Sequence, residues 1–125
     1  MVRPVEFEKD WEEISHWYRG HGWDQMDPLI LPELGFVVPG YACAWLYQSD
    51  SLICWLEWLV TNPKADKKKN FQALEKIYDE AILRSKELGF TTIFSSFNHK
   101  SLIRLAEKKG FKVTENNMTN LVRSL

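Results

Sequence analysis

The chain has 125 residues, of which 45% are hydrophobic and 26% charged, and its formal net charge is −1. This size is enough for one globular domain but too small for two, so we expect a single domain spanning residues 1–125. The near-neutral charge argues against tight binding of duplex nucleic acid. No apolar run approaches the roughly 18 residues that a membrane helix needs, so no membrane segment is expected.

Two cysteines and three histidines bear on compartment and metal binding. Cys43 and Cys54 lie in apolar runs without metal-ligand spacing, which indicates buried free thiols and a reducing, cytoplasmic location. His16 and His21 are expected on the surface or in a loop rather than as ligands. No metal site is predicted.

The N-terminal region predicts a strand and then a helix. Residues 2–7 are expected to form an edge strand, where Pro4 is tolerated. Asp10, with Glu13 three positions later, has the capping-box pattern of a helix start, and Gly20 is expected to end that helix.

A long loop is predicted next, over residues 21–34, because this stretch contains two prolines. Loops of this length in small domains often carry function. Trp23 is the candidate for contact with a substrate. Asp24 and Asp27 would attract a cationic amine, although an ordinary polar loop explains them as well.

The middle of the chain predicts strands and then a long helix. Strands are expected at 35–38, 41–47 and 52–60, with the last two joined as a hairpin through the polar turn 48–51. From Lys67 the apolar residues recur at helical spacing as far as Leu88, before Gly89.

The C-terminal region predicts a strand at 91–97, a helix from Asn98 to Gly110, and two final strands at 111–114 and 120–125. The full order is β-α-β-β-β-α-β-α-β-β, which is an α/β (α+β) fold. Strands 52–60 and 91–96 are expected to be parallel, joined by a right-handed helical crossover.

Glu57 interrupts a strand that is otherwise apolar on both faces, and an unpaired buried carboxylate is costly. With the turn at 48–51, Glu57 should lie across from Ala42, on the face shared with Ala44 and Trp55. Small residues opposite a carboxylate leave room for a ligand, and burial would raise its pKa toward that of a useful base. The alternative is a structural glutamate paired with an arginine or an indole N–H.

Lys67, Lys68 and Lys69 stand at the predicted start of the long helix. Cations oppose the helix dipole at this end, so three lysines are reasonable if an anion binds among them. The alternative is a solvated run of charges.

The element order, the stretch LEWLVTNP leading into a long helix, and LAEKKGF at 105–111 together resemble the GCN5-related N-acetyltransferases (GNATs). Within that superfamily the chain looks most like small members encoded by phages. The resemblance covers nearly the whole chain and implies a mixed sheet with helices on both faces.

The motif letters of the family are mostly absent. Aligned from Pro63, the end of the cofactor motif falls on Ala73-Leu74, but the arginine position holds Asp66. The three glycine positions hold Lys67, Lys69 and Phe71. The tyrosine that protonates the departing thiolate in the family falls on Ala106.

The resemblance implies an acetyl-CoA-dependent N-acetyltransferase that acts by direct attack of an amine. Glu57 would be the general base, and water, Ser101 or His99 would replace the missing tyrosine. The cofactor-binding set implied is Leu59, Val60, Thr61, Lys67, Lys68, Lys69, Asn70 and Asn98.

The acceptor implied is an amine on a small molecule or a protein. Two rival interpretations stay open: a non-catalytic interaction protein on the same scaffold, such as a phage factor that binds a host protein, and an enzyme that modifies nucleotide amines. The oligomeric state is also open, with a homodimer as one option.

Overall fold

The structure is a computed structural model, and it describes residues 1–23 and 27–125. Five strands, three α-helices and one short 3-10 helix follow one another along these residues. They are β1 (Arg3–Pro4), α1 (Phe7–Gly20), the 3-10 helix (Pro28–Ile30), β2 (Gly35–Val38), β3 (Ala42–Gln48), β4 (Ile53–Thr61), α2 (Lys67–Glu87), β5 (Thr92–Phe94) and α3 (Lys100–Lys108).

The strands form one mixed sheet in the order β1-β2-β3-β4-β5. The first three pairings are antiparallel, and β4 pairs with β5 in parallel. The parallel contact, with α2 crossing between its two strands, confirms the prediction from sequence. The short β1 lies at the sheet edge, where Pro4 costs no ladder hydrogen bond.

Helices cover both faces of the sheet, as expected. On one face Ile14, Trp17 and Tyr18 of α1 pack against Val37 and Trp45. On the other face α2 and α3 pack against the alternate residues of the same strands, in a core that includes Phe36, Ala44, Leu46, Leu56, Ile77, Tyr78 and Leu105. A salt bridge of 2.9 Å from Lys109 to Asp79 ties the end of α3 to α2.

The predicted capping box at Asp10 is wrong, because α1 already begins at Phe7. The Asp10 carboxylate instead receives two hydrogen bonds from the Arg3 guanidinium, at 2.7 and 2.8 Å, and one from the Glu6 backbone N–H at 2.8 Å. The pKa of Asp10 is lowered, chiefly by the Arg3 hydrogen bonds. This carboxylate therefore fastens β1 to the first turn of α1.

The two predicted C-terminal strands, 111–114 and 120–125, are absent from the described chain, which has no strand after α3. Apolar side chains of this tail are exposed, with Leu121 at 91% and Val122 at 99%. The neighbouring edge strand β5 has only three residues and offers few ladder hydrogen bonds. Fixing the backbone of one residue costs about 1–2 kcal/mol of conformational entropy, and the few hydrogen bonds that β5 offers do not offset this cost.

Within residues 1–23 and 27–125, no helix is both long enough and apolar enough to cross a membrane.

Candidate active site

A bulge in β4 shapes the centre of the sheet. Trp45 of β3 faces Glu57, and Cys43 faces Val60, so three steps along β4 match two steps along β3. The extra residue is accommodated at Trp58, whose φ of 57° lies in the left-handed region. A non-glycine residue there costs about 1–3 kcal/mol, and a bulge bends and twists its strand.

Buried hydrogen bonds hold the bulge in place. The Tyr18 hydroxyl donates to the Trp58 carbonyl, and the Trp45 indole N–H donates to the Tyr18 oxygen at 3.2 Å. Tyr18 is fully buried, and this burial raises the pKa of its hydroxyl, which keeps it protonated as a donor. The strain at Trp58 is thus offset by contacts from α1 and β3.

Tyr18→Phe should destabilise the fold, because it leaves the Trp45 N–H and the Trp58 carbonyl without their partner. We expect a loss of about 1–3 kcal/mol in the free energy of unfolding, measured by urea titration. Tyr41→Phe is the matched control, since no hydrogen bond of the Tyr41 hydroxyl is found within the described chain. Equal stability of the two variants would show that the Tyr18 hydroxyl does not support the bulge.

Strands β4 and β5 part just before the bulge. Their ladder ends at the pair Trp55–Phe94, and the last link is the Ser95 hydroxyl, which donates to the Leu56 carbonyl at 2.6 Å. Beyond it β4 runs on to Thr61, with no strand beside it on this edge among residues 1–23 and 27–125. The stretch Leu59–Thr61, expected from sequence to hold a cofactor, lies in this unpaired part.

Glu57 lies where the two strands part. Its partner across the sheet is Trp45, so the predicted position opposite Ala42 is wrong. The pairs Gln48–Cys54 and Trp45–Glu57 place the turn later than 48–51, which shifts the register by three residues. Side chains alternate between the two faces of a sheet, so a register shift by an odd number of residues pairs Glu57 with residues of the face opposite to the predicted one. Glu57 therefore shares its face with Trp55, as predicted, but not with Ala44.

The Glu57 carboxylate is half-buried, and burial raises its pKa from 4.5 to about 7. Hydrogen bonding from the Ser96 hydroxyl and backbone N–H opposes this rise. No salt bridge of Glu57 is found within the described residues. A carboxylate with a pKa near 7 can accept a proton at neutral pH.

A cleft of about 550 Å³ opens beside Glu57 on the α1 face of the sheet. Its walls combine residues of β3 and β4 with one residue of the 3-10 helix, and they are Ile30, Tyr47, Gln48, Trp55, Glu57 and Trp58. The Tyr47 hydroxyl donates to the Ile30 carbonyl at 2.9 Å, which joins the loop to the sheet. Sequence reasoning missed Tyr47, Trp58 and Ser96 as site residues.

The loop residues singled out from sequence have distinct positions. The Trp23 ring packs edge-on against Trp58, with centroids 6.2 Å apart, and so supports one wall of the cleft. Asp27 caps the 3-10 helix by accepting from the Leu29 N–H at 2.9 Å. Asp24 lies outside the described residues.

The three lysines Lys67, Lys68 and Lys69 form the exposed first turn of α2, as the sequence predicts. The Asp66 carboxylate caps this helix by accepting from the Lys68 backbone N–H at 3.0 Å. Asn70 is buried, and its side-chain N–H donates to the Asn62 carbonyl at 2.8 Å. Its side-chain oxygen has no partner in the described part of the chain.

Asn98, His99 and Ser101 are exposed or half-buried at the start of α3. His99 precedes the helix, and its Nδ1 lies 2.7 Å from the Ser101 hydroxyl oxygen. Across the residues that the structure describes, no hydrogen bond joins this pair to Glu57. The structure therefore brings His99 and Ser101 together.

Comparisons with known proteins agree in fold alone. No protein-family model matches the sequence, and neither does any curated protein. Among solved structures, a transcriptional regulator from Bacillus halodurans has a TM-score of 0.72 at 16% identity, over 98% of this chain and 99% of the other. An acetyltransferase from Trypanosoma brucei has a TM-score of 0.71 at 14% identity, again over 98% and 99%.

A GNAT-family acetyltransferase from Streptococcus pneumoniae has a TM-score of 0.68 at 12% identity, and the match covers 100% of this chain and 97% of the other. The chain has the GNAT fold. Resemblance to phage-encoded members stays a prediction.

Ala106, the position to which the resemblance assigns the family's tyrosine, is 4% exposed and packed in the core. In the same core the Tyr78 hydroxyl is buried and has no hydrogen-bond partner among the described residues. Burial raises its pKa, Ser95 opposes the rise and Glu57 adds to it.

Proposed function

We propose that this chain is an acetyl-CoA-dependent N-acetyltransferase in which an acceptor amine attacks the acetyl group directly. The observation that carries the proposal is Glu57, a half-buried carboxylate with a pKa of about 7 where β4 leaves β5. In a GNAT fold this group stands beside both an open cleft and the free edge of β4. That is the arrangement a general base for an amine needs.

Acetyl-CoA fits the free strand edge near Glu57 and the positive charge at the start of α2. Beyond the pair Trp55–Phe94, the edge of β4 has no strand beside it in the described chain. The lysines Lys67–Lys69 at the start of α2 suit the phosphates. The backbone of Leu59–Thr61 would hold the pantetheine, and Asn98 would contact it from α3.

Acetyl-CoA supplies an activated acetyl thioester, and the residues of the chain position the acceptor. Glu57 takes a proton from the ammonium form, directly or through water. The amine nitrogen then bonds to the acetyl carbon as the carbon–sulfur bond breaks, and the electron pair leaves on sulfur. The second proton released by nitrogen goes to the thiolate or to solvent, and His99 or Ser101 would carry it.

A thermal shift experiment tests cofactor binding. Ligand at 100 times its Kd should stabilise the protein by about 2.7 kcal/mol. Replacing Lys67, Lys68 and Lys69 with Ala should weaken acetyl-CoA binding about tenfold at low ionic strength, and less in added salt because exposed charges are screened.

A triple alanine variant of three exposed lysines elsewhere is the matched control, and it should bind like the wild type (Lys9, Lys86 and Lys112). Equal weakening in both triples would mean that only the net charge matters. If millimolar acetyl-CoA does not raise the melting temperature of the wild type, the proposed function is wrong.

The second candidate is a non-catalytic interaction protein on the same scaffold. It is favoured by the exposed apolar side chains of the C-terminal tail, among them Met118, Leu121 and Leu125. It also accounts for the missing motif glycines and for Ala106. Absence of acetyl-CoA binding is the result that would favour it.

A further inference from the structure

The walls of the cleft beside Glu57 are unusually aromatic. Trp55 and Trp58 are each 37% exposed, although an indole ring is costly to leave in water. Tyr47 contributes a third ring and Ile30 an aliphatic side chain. The volume of about 550 Å³ lies within the range of roughly 300–1,000 Å³ that is typical of sites for small molecules.

The aromatic walls are held rigidly. Trp55 stacks on Phe94 with centroids 6.2 Å apart and planes 26° apart. Trp58 is supported edge-on by Tyr18 and Trp23, at 6.1 and 6.2 Å. Rings fixed in this way offer flat apolar surface at low entropic cost, as in binding sites for rings and for cations.

Few polar groups face this surface. Of the described residues that line the cleft, Glu57 alone is charged, and Gln48 adds one amide. The Tyr47 hydroxyl already donates to Ile30. A ligand with many hydroxyl or ammonium groups would leave most of them without partners, at a cost for each.

On the basis of the proposed function, we propose that this cleft is the acceptor site and that its substrate is a small primary amine joined to an aromatic ring by a short alkyl chain. The ammonium group pairs with Glu57, and the ring lies against Trp55 and Trp58. The transfer is the one described above: nitrogen bonds to the acetyl carbon, the carbon–sulfur bond breaks, and Glu57 takes the proton. Sugar amines rich in hydroxyls and lysine side chains of proteins, which lack the ring, are expected to be poorer acceptors.

The test compares 2-phenylethylamine with amines that lack the aromatic ring, of which ethylamine differs from it only in the ring. With acetyl-CoA present, kcat/KM measured by mass spectrometry of the acetylated product should be at least tenfold higher for 2-phenylethylamine than for ethylamine, kanamycin or a lysine peptide. Trp58→Ala should raise the KM for 2-phenylethylamine about two- to tenfold. The Kd for acetyl-CoA should stay unchanged, which shows that the variant is folded.

Phe7→Ala is the control, because Phe7 is an exposed ring at 43% on α1 that does not line this cleft. It should leave the KM unchanged. Trp55→Ala provides a second wall variant in case Trp58→Ala fails to fold, and it should raise the KM in the same way.

A binding titration with 2-phenylethylamine alone separates this inference from the proposed function. Quenching of tryptophan fluorescence measures the binding. Binding of the amine without binding of acetyl-CoA would support the aromatic-amine site and overturn the acetyltransferase. Acetyl-CoA turnover with ethylamine, kanamycin or the lysine peptide at an equal or better rate would overturn the inference and leave the acetyltransferase standing. Failure to bind 2-phenylethylamine at millimolar concentration would also overturn the inference.

Discussion

Glu57→Gln is expected to lower the turnover of acetyl-CoA with an amine acceptor about 10²–10⁴-fold, the usual contribution of a general base. Glutamine keeps the shape of the side chain and can still bond to Ser96, but it cannot take a proton. The Kd for acetyl-CoA should be unchanged. Turnover is measured with saturating acetyl-CoA and 2-phenylethylamine.

The pH dependence of kcat/KM provides a second test of Glu57 as the base. The pKa of Glu57 is about 7, so the carboxylate form that acts as base predominates above that pH. In the wild type kcat/KM should therefore rise as the pH passes through about 7. Glu57→Gln should lose that rise, and higher pH should restore part of its activity because more of the amine is already deprotonated.

Stability separates a base from a structural glutamate. Burial raises the pKa of Glu57 in the folded state above its usual 4.5, so charging this group opposes folding. The protonated form contributes to the free energy of unfolding. This contribution is fully present below about pH 4.5 and is lost as the pH rises through about 7. At pH 8, Glu57→Gln should therefore unfold at the same temperature as the wild type or a higher one.

The exposed Glu12 offers a control, and Glu12→Gln should change neither turnover nor unfolding. Full activity of Glu57→Gln together with a lowered Tm would remove Glu57 as the base and make it a structural residue.

Trp45→Ala is expected to cost about 3–5 kcal/mol of unfolding free energy, as is usual when a buried Trp is truncated. Trp45 is 1% exposed, and its N–H donates to Tyr18 in the network that supports the bulge. Its ring lies so close to Gly35 that a Cβ there would come within 2.5 Å of it. Glycine at 35 and tryptophan at 45 therefore fit each other across the strand pair.

Trp55→Ala is the matched control for stability, because Trp55 lies on the same sheet face but is 37% exposed. It should cost clearly less than Trp45→Ala, and both are measured by urea titration of unfolding. Equal losses would show that position 45 is not the centre of the α1-side core.

The parallel unit of the sheet was predictable because it depends on coarse periodicity. The apolar spacing from Lys67 onward defined α2, and strands on either side of one crossover helix pair in parallel. The C-terminal strands were not predictable in the same way. A short alternating segment becomes a strand only if an edge receives it, and β5 offers three residues.

The candidate site was likewise predictable from the sequence only in part. Glu57 was recognisable because a carboxylate in an apolar strand needs an explanation. Its neighbours depended on the register, and the turn position shifted them by three residues. The bulge at Trp58 has no signal in the sequence, since tryptophan is rare at positive φ. Two tryptophans next to Glu57 on an otherwise apolar strand were the available hint of the cleft.

The proposed function requires that acetyl-CoA enters where β4 and β5 part and that its acetyl group reaches Glu57. A crystal structure of the protein with bound acetyl-CoA tests this most directly. We expect the pantetheine along Leu59–Thr61, the phosphates near Lys67–Lys69, and the thioester within reach of Glu57 and the Tyr78 hydroxyl. Acetyl-CoA bound elsewhere, with the edge of β4 free and Glu57 untouched, would contradict the account.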